Sequence, residues 1–196
     1  MTAKKDTYEV APIPAADLTE KELAACIAVI KKGQSIDWRS ALKELPLATA
    51  VVIARKGIEI VGVGAVKRER QEYAAKIARD SGVAFPSETL ELGYVAADSD
   101  HQAHGLAHRI TAALLSQYKG RLFATTYNKR MKRTLETGGF VKKGKVGKAG
   151  AKCCRFGRKA LASPKVGSLL DIVICARSGL PSHVVGGVAA PGGTSG

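Results

Sequence analysis

The stretch from Gln102 to Ala107 has the residue types best suited to chemistry, since a short loop with one glycine leads there from a strand into a helix. The backbone N–H groups of such a loop and the positive end of the helix dipole favour a phosphate group. Gly105 would let the backbone approach a ligand closely, and Ala107 would keep the next turn small. The pattern predicts a phosphate-binding loop, although an ordinary strand-to-helix turn uses the same residues.

Downstream of this loop come a strand, Asn128, a short basic helix and the pair Gly139-Phe140. Together with the loop, this order resembles the GNAT superfamily of acyl-CoA-dependent N-acyltransferases over about residues 17–160. The family signature, glutamine or arginine-x-x-Gly-x-Gly or Ala, matches residues 102 to 107, with glutamine at its first position. The resemblance implies an α/β (α+β) fold in which helices flank a mixed central sheet.

The resemblance also implies acetyl-CoA, or another acyl-CoA, as the cofactor. Its pantetheine arm would bind backbone groups near Val95 and Ala97. The strand that carries these residues and the next strand would splay apart there and leave a gap. Asn128 would touch or orient the pantetheine arm. The pyrophosphate would lie on the backbone N–H groups of the loop, which belong to Gln102, Ala103, His104, Gly105, Leu106 and Ala107.

An ammonium acceptor must lose a proton before it attacks a thioester, and the departing thiolate benefits from a proton donor. Glu91 is the candidate base, because it precedes Gln102 by eleven residues, as does the catalytic glutamate of the histone-acetyltransferase branch. The alternative is an exposed strand residue, since strand alternation alone does not say which face is the cleft. The family's usual tyrosine position holds Leu135, so Tyr127 and Tyr94 are the candidate proton donors.

The chain is strongly basic, with 31 Lys and Arg against 17 Asp and Glu and a net charge of +14. Residues 129–159 hold twelve of these cations and one acidic residue. This segment has more positive charges than the phosphate of a cofactor needs, which predicts an acceptor on or carried by tRNA or DNA. The alternative is a basic face that is only solvated. The candidate face comprises Lys129, Arg130, Lys132, Arg133, Lys142 and Lys143.

The resulting prediction is an enzyme that transfers an acyl group directly from acyl-CoA to an amine in a ternary complex, with Glu91 as base. Acetylation of a small amine or of a protein lysine is the simpler alternative, with the basic face incidental. A non-catalytic module that keeps the fold and binds nucleic acid or another partner is the alternative from a different class.

Hydrophobic periodicity predicts the elements that position these residues. We expect one domain over residues 1–163 and a disordered tail rich in Gly and Pro over 164–196, in which Ser168–Ala176 is apolar enough for a strand or helix. The expected helices cover 17–33, 38–45, part of 67–87, 105–120 and 129–137. The expected strands cover 48–54, 58–66, 89–97, 121–126 and a basic hairpin from Phe140 that contains Cys153 and Cys154.

Several classes of protein are excluded by pattern. No apolar run approaches the ~20 residues of a membrane span, and the N-terminus lacks the pattern of a secretory signal. The four cysteines have no CxxC spacing, which favours a reducing cytoplasm over a disulfide framework. His101, His104 and His108 cluster near the loop, but no HExxH motif or nearby carboxylate completes a metal site, so no metal is expected.

Overall fold

The computed structural model describes residues 8–33, 36–68, 71–86, 88–126, 128–148 and 171–177. Its strands form one mixed sheet in the order β1-β2-β3-β4-β5-β7-β6, in which β4 and β5 are parallel and the other neighbours antiparallel. This confirms the expected fold class. The strands are β1 Tyr8–Ile13, β2 Ala50–Lys56, β3 Glu59–Lys67, β4 Leu90–Ala97, β5 Leu122–Thr126, β6 Val141–Lys148 and β7 Asp171–Arg177.

The α-helices of the described chain cover the two faces of the sheet. On one face α1 and α2 pack against a cluster that includes Ile30, Ala41 and Val63. On the other face α4 and α5 pack through Ile110 and Leu135. None of the described helices is both long and apolar enough to span a membrane. The helices are α1 Glu20–Lys32, α2 Trp38–Glu44, α3 Gln71–Ser81, α4 Leu106–Gln117 and α5 Lys129–Thr137.

The start of α1 follows from its sequence. Thr19 is the N-cap, and its hydroxyl accepts a hydrogen bond from the Glu22 N–H at 3.3 Å, while the Glu22 carboxylate accepts one from the Thr19 N–H at 3.0 Å. Such a reciprocal pair satisfies backbone donors that would otherwise lack partners at the helix end. Of the two expected caps, Asp17 and Thr19, the structure therefore selects Thr19.

A glycine in β3 lets α4 lie close to the sheet. A Cβ atom at Gly64 would come within 2.6 Å of Ile110 Cγ2 and 3.1 Å of Leu114 Cδ1, so no larger residue fits without displacement. Real Cβ atoms do not approach this closely, and overpacking a core costs stability. The close approach fixes the height of α4 above the sheet, and with it the loop that precedes the helix.

Two strands add to the expected organisation. β1 was not expected, because Tyr8–Ile13 is short and mixes polar with apolar residues. β7, Asp171–Arg177, overlaps Ser168–Ala176, the segment expected to form a strand or helix, and the domain boundary at residue 163 stays a prediction. The Gly and Pro residues that follow dominate the composition there, while the strand forms through long-range pairing with β5 and β6. The rest of the expected tail, together with Cys153 and Cys154, lies outside the described residues.

Candidate active site

A gap opens in the sheet between β4 and β5. These parallel strands pair only through Leu90 with Leu122 and Glu91 with Phe123, although β4 continues to Ala97. β4 also bulges, since Gly93 pairs with Ala65 and Ala96 with Val63, which leaves two residues of β4 opposite one of β3. A bulge bends and twists its strand, which directs it away from its neighbour. The resemblance implies this gap, and Glu91 lies at its closed end.

The bulge carries backbone strain at Tyr94. Its φ is +55°, in the left-handed region that residues other than glycine, asparagine and aspartate rarely adopt. Strain of this kind persists only where surrounding contacts fix the residue. The Tyr94 side chain supplies such contacts, because its hydroxyl bonds Glu44 and the ammonium of Lys67 lies 5.0 Å from its ring centre.

The loop after the open end of the gap has the geometry of an anion site. A 3-10 turn over Ser99–His104 ends at Gly105, whose φ of +66° is left-handed, and α4 begins at Leu106. The first backbone bond of α4 runs from the Arg109 N–H to the Gly105 carbonyl at 3.1 Å, and no side chain caps this helix end. The N–H groups of the first helical turn therefore point out of the N-terminus, where a phosphate is favoured.

Asp98 attaches this loop to α1. Its carboxylate accepts hydrogen bonds from the Lys32 ammonium at 2.6 Å and from the Asp100 N–H at 3.2 Å, and it is almost fully buried. The hydrogen bond from Lys32 is the main cause that holds the pKa of Asp98 below its usual value. The ionised carboxylate fixes the start of the loop relative to the sheet.

The histidines of the loop pack around Tyr8 of β1. His101 Nδ1 lies 3.0 Å from the Tyr8 hydroxyl, and the His104 ring lies 4.7 Å from the Tyr8 ring. The described residues contain no group of three or more His, Cys, Asp or Glu that could hold a metal ion. These contacts give His101 and His104 a packing role at the edge of the loop.

At the closed end of the gap, a buried lysine bridges two carboxylates. Lys67 Nζ lies 2.7 Å from Glu91 Oε2 and 2.9 Å from Glu44 Oε2, and the Tyr94 hydroxyl donates to Glu44 Oε2 at 2.5 Å. Lys67 is 6% exposed and Glu91 is 8% exposed. We call these four residues the Lys67 cluster. The alternative of an exposed Glu91 is therefore wrong, since the side chain is buried and paired on the face that α1 and α2 cover.

The Lys67 ammonium lies within hydrogen-bond distance of the carboxylates of both Glu44 and Glu91, so the cluster pairs one cation with two acidic side chains. Burial first, and then the hydrogen bond to Glu44, raises the pKa of Tyr94 above its usual range. Tyr94 is therefore protonated, and its proton is engaged by Glu44.

A cleft of about 650 Å³ opens beside the Lys67 cluster on the α2 side of the sheet. Lys67 and Glu44 line it, whereas Glu91 lies behind Lys67. On the β5 side, α3 and the segment after it cover the sheet, since the Tyr73 hydroxyl lies 3.2 Å from Thr125 Oγ1 and Phe85 stacks on Phe123 at 4.6 Å. Residues 71–86 thus form a wall next to the gap.

Glu44 and Lys67 were missed by reasoning from the sequence. Lys67 had a signal, because it follows Val63 and Ala65 at the strand period of two and so continues a buried face. A lysine at such a position needs a buried partner. Glu44 had none, because it ends a short helix and meets β3 and β4 only in the folded chain.

The remaining predicted residues are placed as follows. Asn128 is the N-cap of α5, and its Oδ1 accepts from the N–H groups of Arg130 at 2.8 Å and Met131 at 3.3 Å, so its predicted contact with pantetheine stays a prediction. Leu135 belongs to α5 and is fully buried in the core on the α4 side of the sheet.

Tyr127 lies outside the described residues. Val95 and Ala97 are half-buried and pack on the α4 face of β4.

The part of the predicted basic face that lies on α5 belongs to the side of the sheet opposite the cleft. α5 packs with α4, while the cleft lies under α2. Lys129, Arg130, Arg133 and Lys142 are exposed and Lys132 is half-buried. The side chain of Lys143 lies outside the described part of the chain. The Lys67 cluster and the α5 part of the basic face therefore meet solvent on different sides.

Comparisons with known proteins agree on the architecture. No family model matches the sequence, and no curated protein matches it. Among solved structures, the chain is similar to a protein described as a GNAT-family acetyltransferase from Desulfovibrio desulfuricans, with a TM-score of 0.57, 13% identity and coverage of 88% of this chain and 99% of the other.

Two further solved structures are similar. Diaminobutyrate acetyltransferase EctA from Paenibacillus lautus has a TM-score of 0.56 at 19% identity, over 87% of this chain and 95% of that one. Ribosomal-protein-alanine N-acetyltransferase from Brucella melitensis has a TM-score of 0.53 at 16% identity, over 87% and 99%. At these identities the similarity is one of fold, and this chain has the fold of the GNAT acyltransferases.

Proposed function

We propose that this chain is an N-acyltransferase that moves an acyl group, most simply acetyl, from acyl-CoA to an amine. The observation that carries the proposal is the gap between β4 and β5, with buried Glu91 at its closed end and the uncapped α4 N-terminus after its open end. Two proteins of similar fold support the donor: yncA of Salmonella typhimurium was solved with acetyl-CoA and EctA of Paenibacillus lautus with coenzyme A.

The described residues fit such a donor. The N–H groups at the start of α4 would hold the pyrophosphate. Gly105, which has a left-handed backbone, has no side chain and so leaves that helix end accessible. Beyond Glu91, the edge of β4 that faces the gap is not paired with β5, so backbone groups near Val95 and Ala97 would hold the pantetheine arm. When bound, the thioester supplies the acyl group.

Glu91 is the base in this proposal. A carboxylate can take the proton that an ammonium acceptor must lose, and Lys67 Nζ holds the Glu91 carboxylate in place at 2.7 Å. The proton donor to the leaving thiolate is Tyr127 or Tyr94. Tyr94 is protonated, but it would have to release Glu44 before it donated elsewhere.

Thermal unfolding with acetyl-CoA, CoA and ATP tests donor binding. A ligand at about 100 times its Kd adds about 2.7 kcal/mol to the free energy of unfolding, which is a readily measured shift in Tm. We expect shifts with acetyl-CoA and CoA and little with ATP. No shift at millimolar acetyl-CoA would refute the transferase and leave a non-catalytic binding module.

Glu91→Gln separates catalysis from binding. Loss of a general base lowers turnover by roughly 10²–10⁴-fold, so we expect thiol release from acetyl-CoA with a panel of amines to fall by that factor. The Tm shift with CoA should remain. Glu59→Gln is the matched control, because Glu59 is an exposed carboxylate at the start of β3. Equal turnover in both variants would remove Glu91 from the mechanism.

Our second proposal concerns the acceptor, which we propose is an amine on or carried by tRNA or DNA. A small amine or a protein lysine is the alternative acceptor. The exposed cations of α5 and Lys142 support it. Affinity for tRNA and for duplex DNA across a salt series tests it. Replacing Lys129, Arg130 and Arg133 with Ala should make the slope of log affinity against log salt concentration shallower by about 0.7–0.9 for each phosphate contact that is lost. Lys21→Ala should leave this slope unchanged.

A further inference from the structure

The cleft beside the Lys67 cluster has an acidic group on its inner side and basic groups at its rim. Glu44 lies at the inner side with Lys67, and Lys67 pairs with the carboxylates of both Glu44 and Glu91, although Glu91 does not itself line the cleft. Arg39, Lys43 and Arg68 line the same cleft and are exposed. A single small cavity thus presents charges of opposite sign to one molecule.

The rim remains positive after its own carboxylate is counted. Asp37 also lines the cleft, but it is the N-cap of α2, where it accepts hydrogen bonds from the Arg39 N–H at 3.0 Å and the Ser40 hydroxyl at 2.8 Å. The bond from Ser40 is the main cause that lowers the pKa of Asp37. Its charge therefore serves the helix end, and among the described lining residues the rim has three cations against this one carboxylate.

An apolar side chain lies in the same cleft. Leu47 is 81% exposed and lines the cavity, and an exposed leucine beside charged groups offers contact area to the methylene groups of a ligand. A volume of about 650 Å³ is in the range of small-molecule sites. The cleft thus combines a carboxylate at its inner end, an apolar wall and a cationic rim.

We propose that this cleft binds an acceptor whose amine is joined through a short alkyl segment to a carboxylate or phosphate. The ammonium lies toward Glu44, and the anion lies at Arg39, Lys43 and Arg68. The inference rests on the proposed transferase function and names the chemical class of its acceptor. An amine without an anion would leave the rim unused, and an anion without an amine would leave the Glu44 carboxylate unused.

Matched probes test the proposal at equilibrium, without turnover. The Kd of the wild-type protein is measured calorimetrically for 4-aminobutyrate, 5-aminopentanoate and 6-aminohexanoate, for pentylamine and for pentanoate. We expect at least one aminoalkanoate to bind about tenfold or more tightly than pentylamine and pentanoate, since charge-assisted hydrogen bonds at both ends add. Phosphoethanolamine against 3-aminopropanoate identifies whether phosphate or carboxylate is preferred.

Variants of the rim give the second readout. Arg68→Ala and Lys43→Ala should bring the affinity for the best aminoalkanoate close to that for pentylamine, and Lys21→Ala, an exposed cation of α1 outside the cleft, should not. The replaced side chains are exposed, so folding is retained. Pentylamine affinity should be unchanged or improved in the rim variants, because they remove only positive charge.

The outcomes separate the two proposals. If acetyl-CoA shifts the Tm while aminoalkanoates bind no more tightly than pentylamine, or do not bind at millimolar concentration, the acceptor class is wrong and the transferase proposal remains. If aminoalkanoates bind with the expected dependence on Arg68 and acetyl-CoA gives no shift, the cleft is a site for such amines but the transferase proposal fails.

Discussion

The predicted phosphate-binding loop and the Lys67 cluster lie at the two ends of one gap, but they are built from different amounts of chain. Residues 98–106 form the loop from a single stretch, held by backbone conformation and by Asp98. The Lys67 cluster joins α2, β3 and β4, and its members Glu44 and Glu91 are 47 residues apart in sequence. A local site needs only its own segment to be positioned, whereas a long-range site exists only once the sheet has formed.

This difference predicts how each region responds to substitution. The loop uses backbone N–H groups, which every residue but proline offers, so most side-chain changes there should be tolerated. The Lys67 cluster uses buried charges, and removing one of them takes an ion-pair partner away from groups that have little access to water. We therefore expect the largest effects on stability in the Lys67 cluster and smaller ones around the loop.

The largest expected effect is that of Lys67→Met. Removing the ammonium leaves Glu44 and Glu91 close together without the bridging cation, and breaking a buried pair costs about 3–5 kcal/mol. Urea unfolding measures the loss. Lys76→Met is the control, because Lys76 and Asp80 form an exposed i,i+4 pair, and water screens such surface pairs so that they add little to stability. Equal losses would mean that the buried position of Lys67 confers no special role.

The sequence predicts the loop, which is built from one stretch of chain, better than the Lys67 cluster, which is built from distant segments. Gln102–Ala107, the helix after it and the α1 cap are decided by neighbours within a few residues, and the structure has the helix and the cap where the pattern indicates them. Glu91 was selected by its spacing to the loop, but its burial was left open, because a strand pattern does not identify which face is covered.

What the sequence did not predict depends on pairing between distant segments. β1 pairs with β2 more than 35 residues later, and its own sequence has no strong strand signal. For β7 the apolar run indicated a strand or a helix, and only the pairing with β5 and β6 makes it a strand inside the sheet. Glu44 is similar, since only the packing of α2 on the sheet brings it to Lys67.

An intermediate effect is expected for Gly64→Ala, which tests whether the local loop also depends on the sheet. The new Cβ would lie 2.6 Å from Ile110 Cγ2, so α4 must move away from β3, and overpacking costs about 1–3 kcal/mol. Gly33→Ala is the control, because its Cβ would have no neighbour closer than 3.5 Å. We also expect weaker binding of acetyl-CoA to Gly64→Ala at a temperature where it is folded. Unchanged affinity would show the loop to be independent of the height of α4.

The smallest expected effect is that of Asp98→Asn, which keeps a capping side chain and removes only its charge. Lys32 is half exposed, so water screens the pair and the loss at neutral pH should be about 1 kcal/mol or less. The pKa of Asp98 is lowered in the folded state relative to the ordinary value of 3.8. Its contribution is therefore complete above that value and is lost as the pH falls through the lower folded pKa.

The difference in free energy of unfolding between the wild type and Asp98→Asn should accordingly be constant from pH 7 to about pH 5 and disappear at the acid end. Lys32→Met should behave in the same way, because it removes the other half of the pair. A difference that persisted below the folded pKa would assign the effect to the shape of the side chain. The loop would then depend on its own hydrogen bonds alone, without the charge of α1, and its contrast with the Lys67 cluster would be sharper.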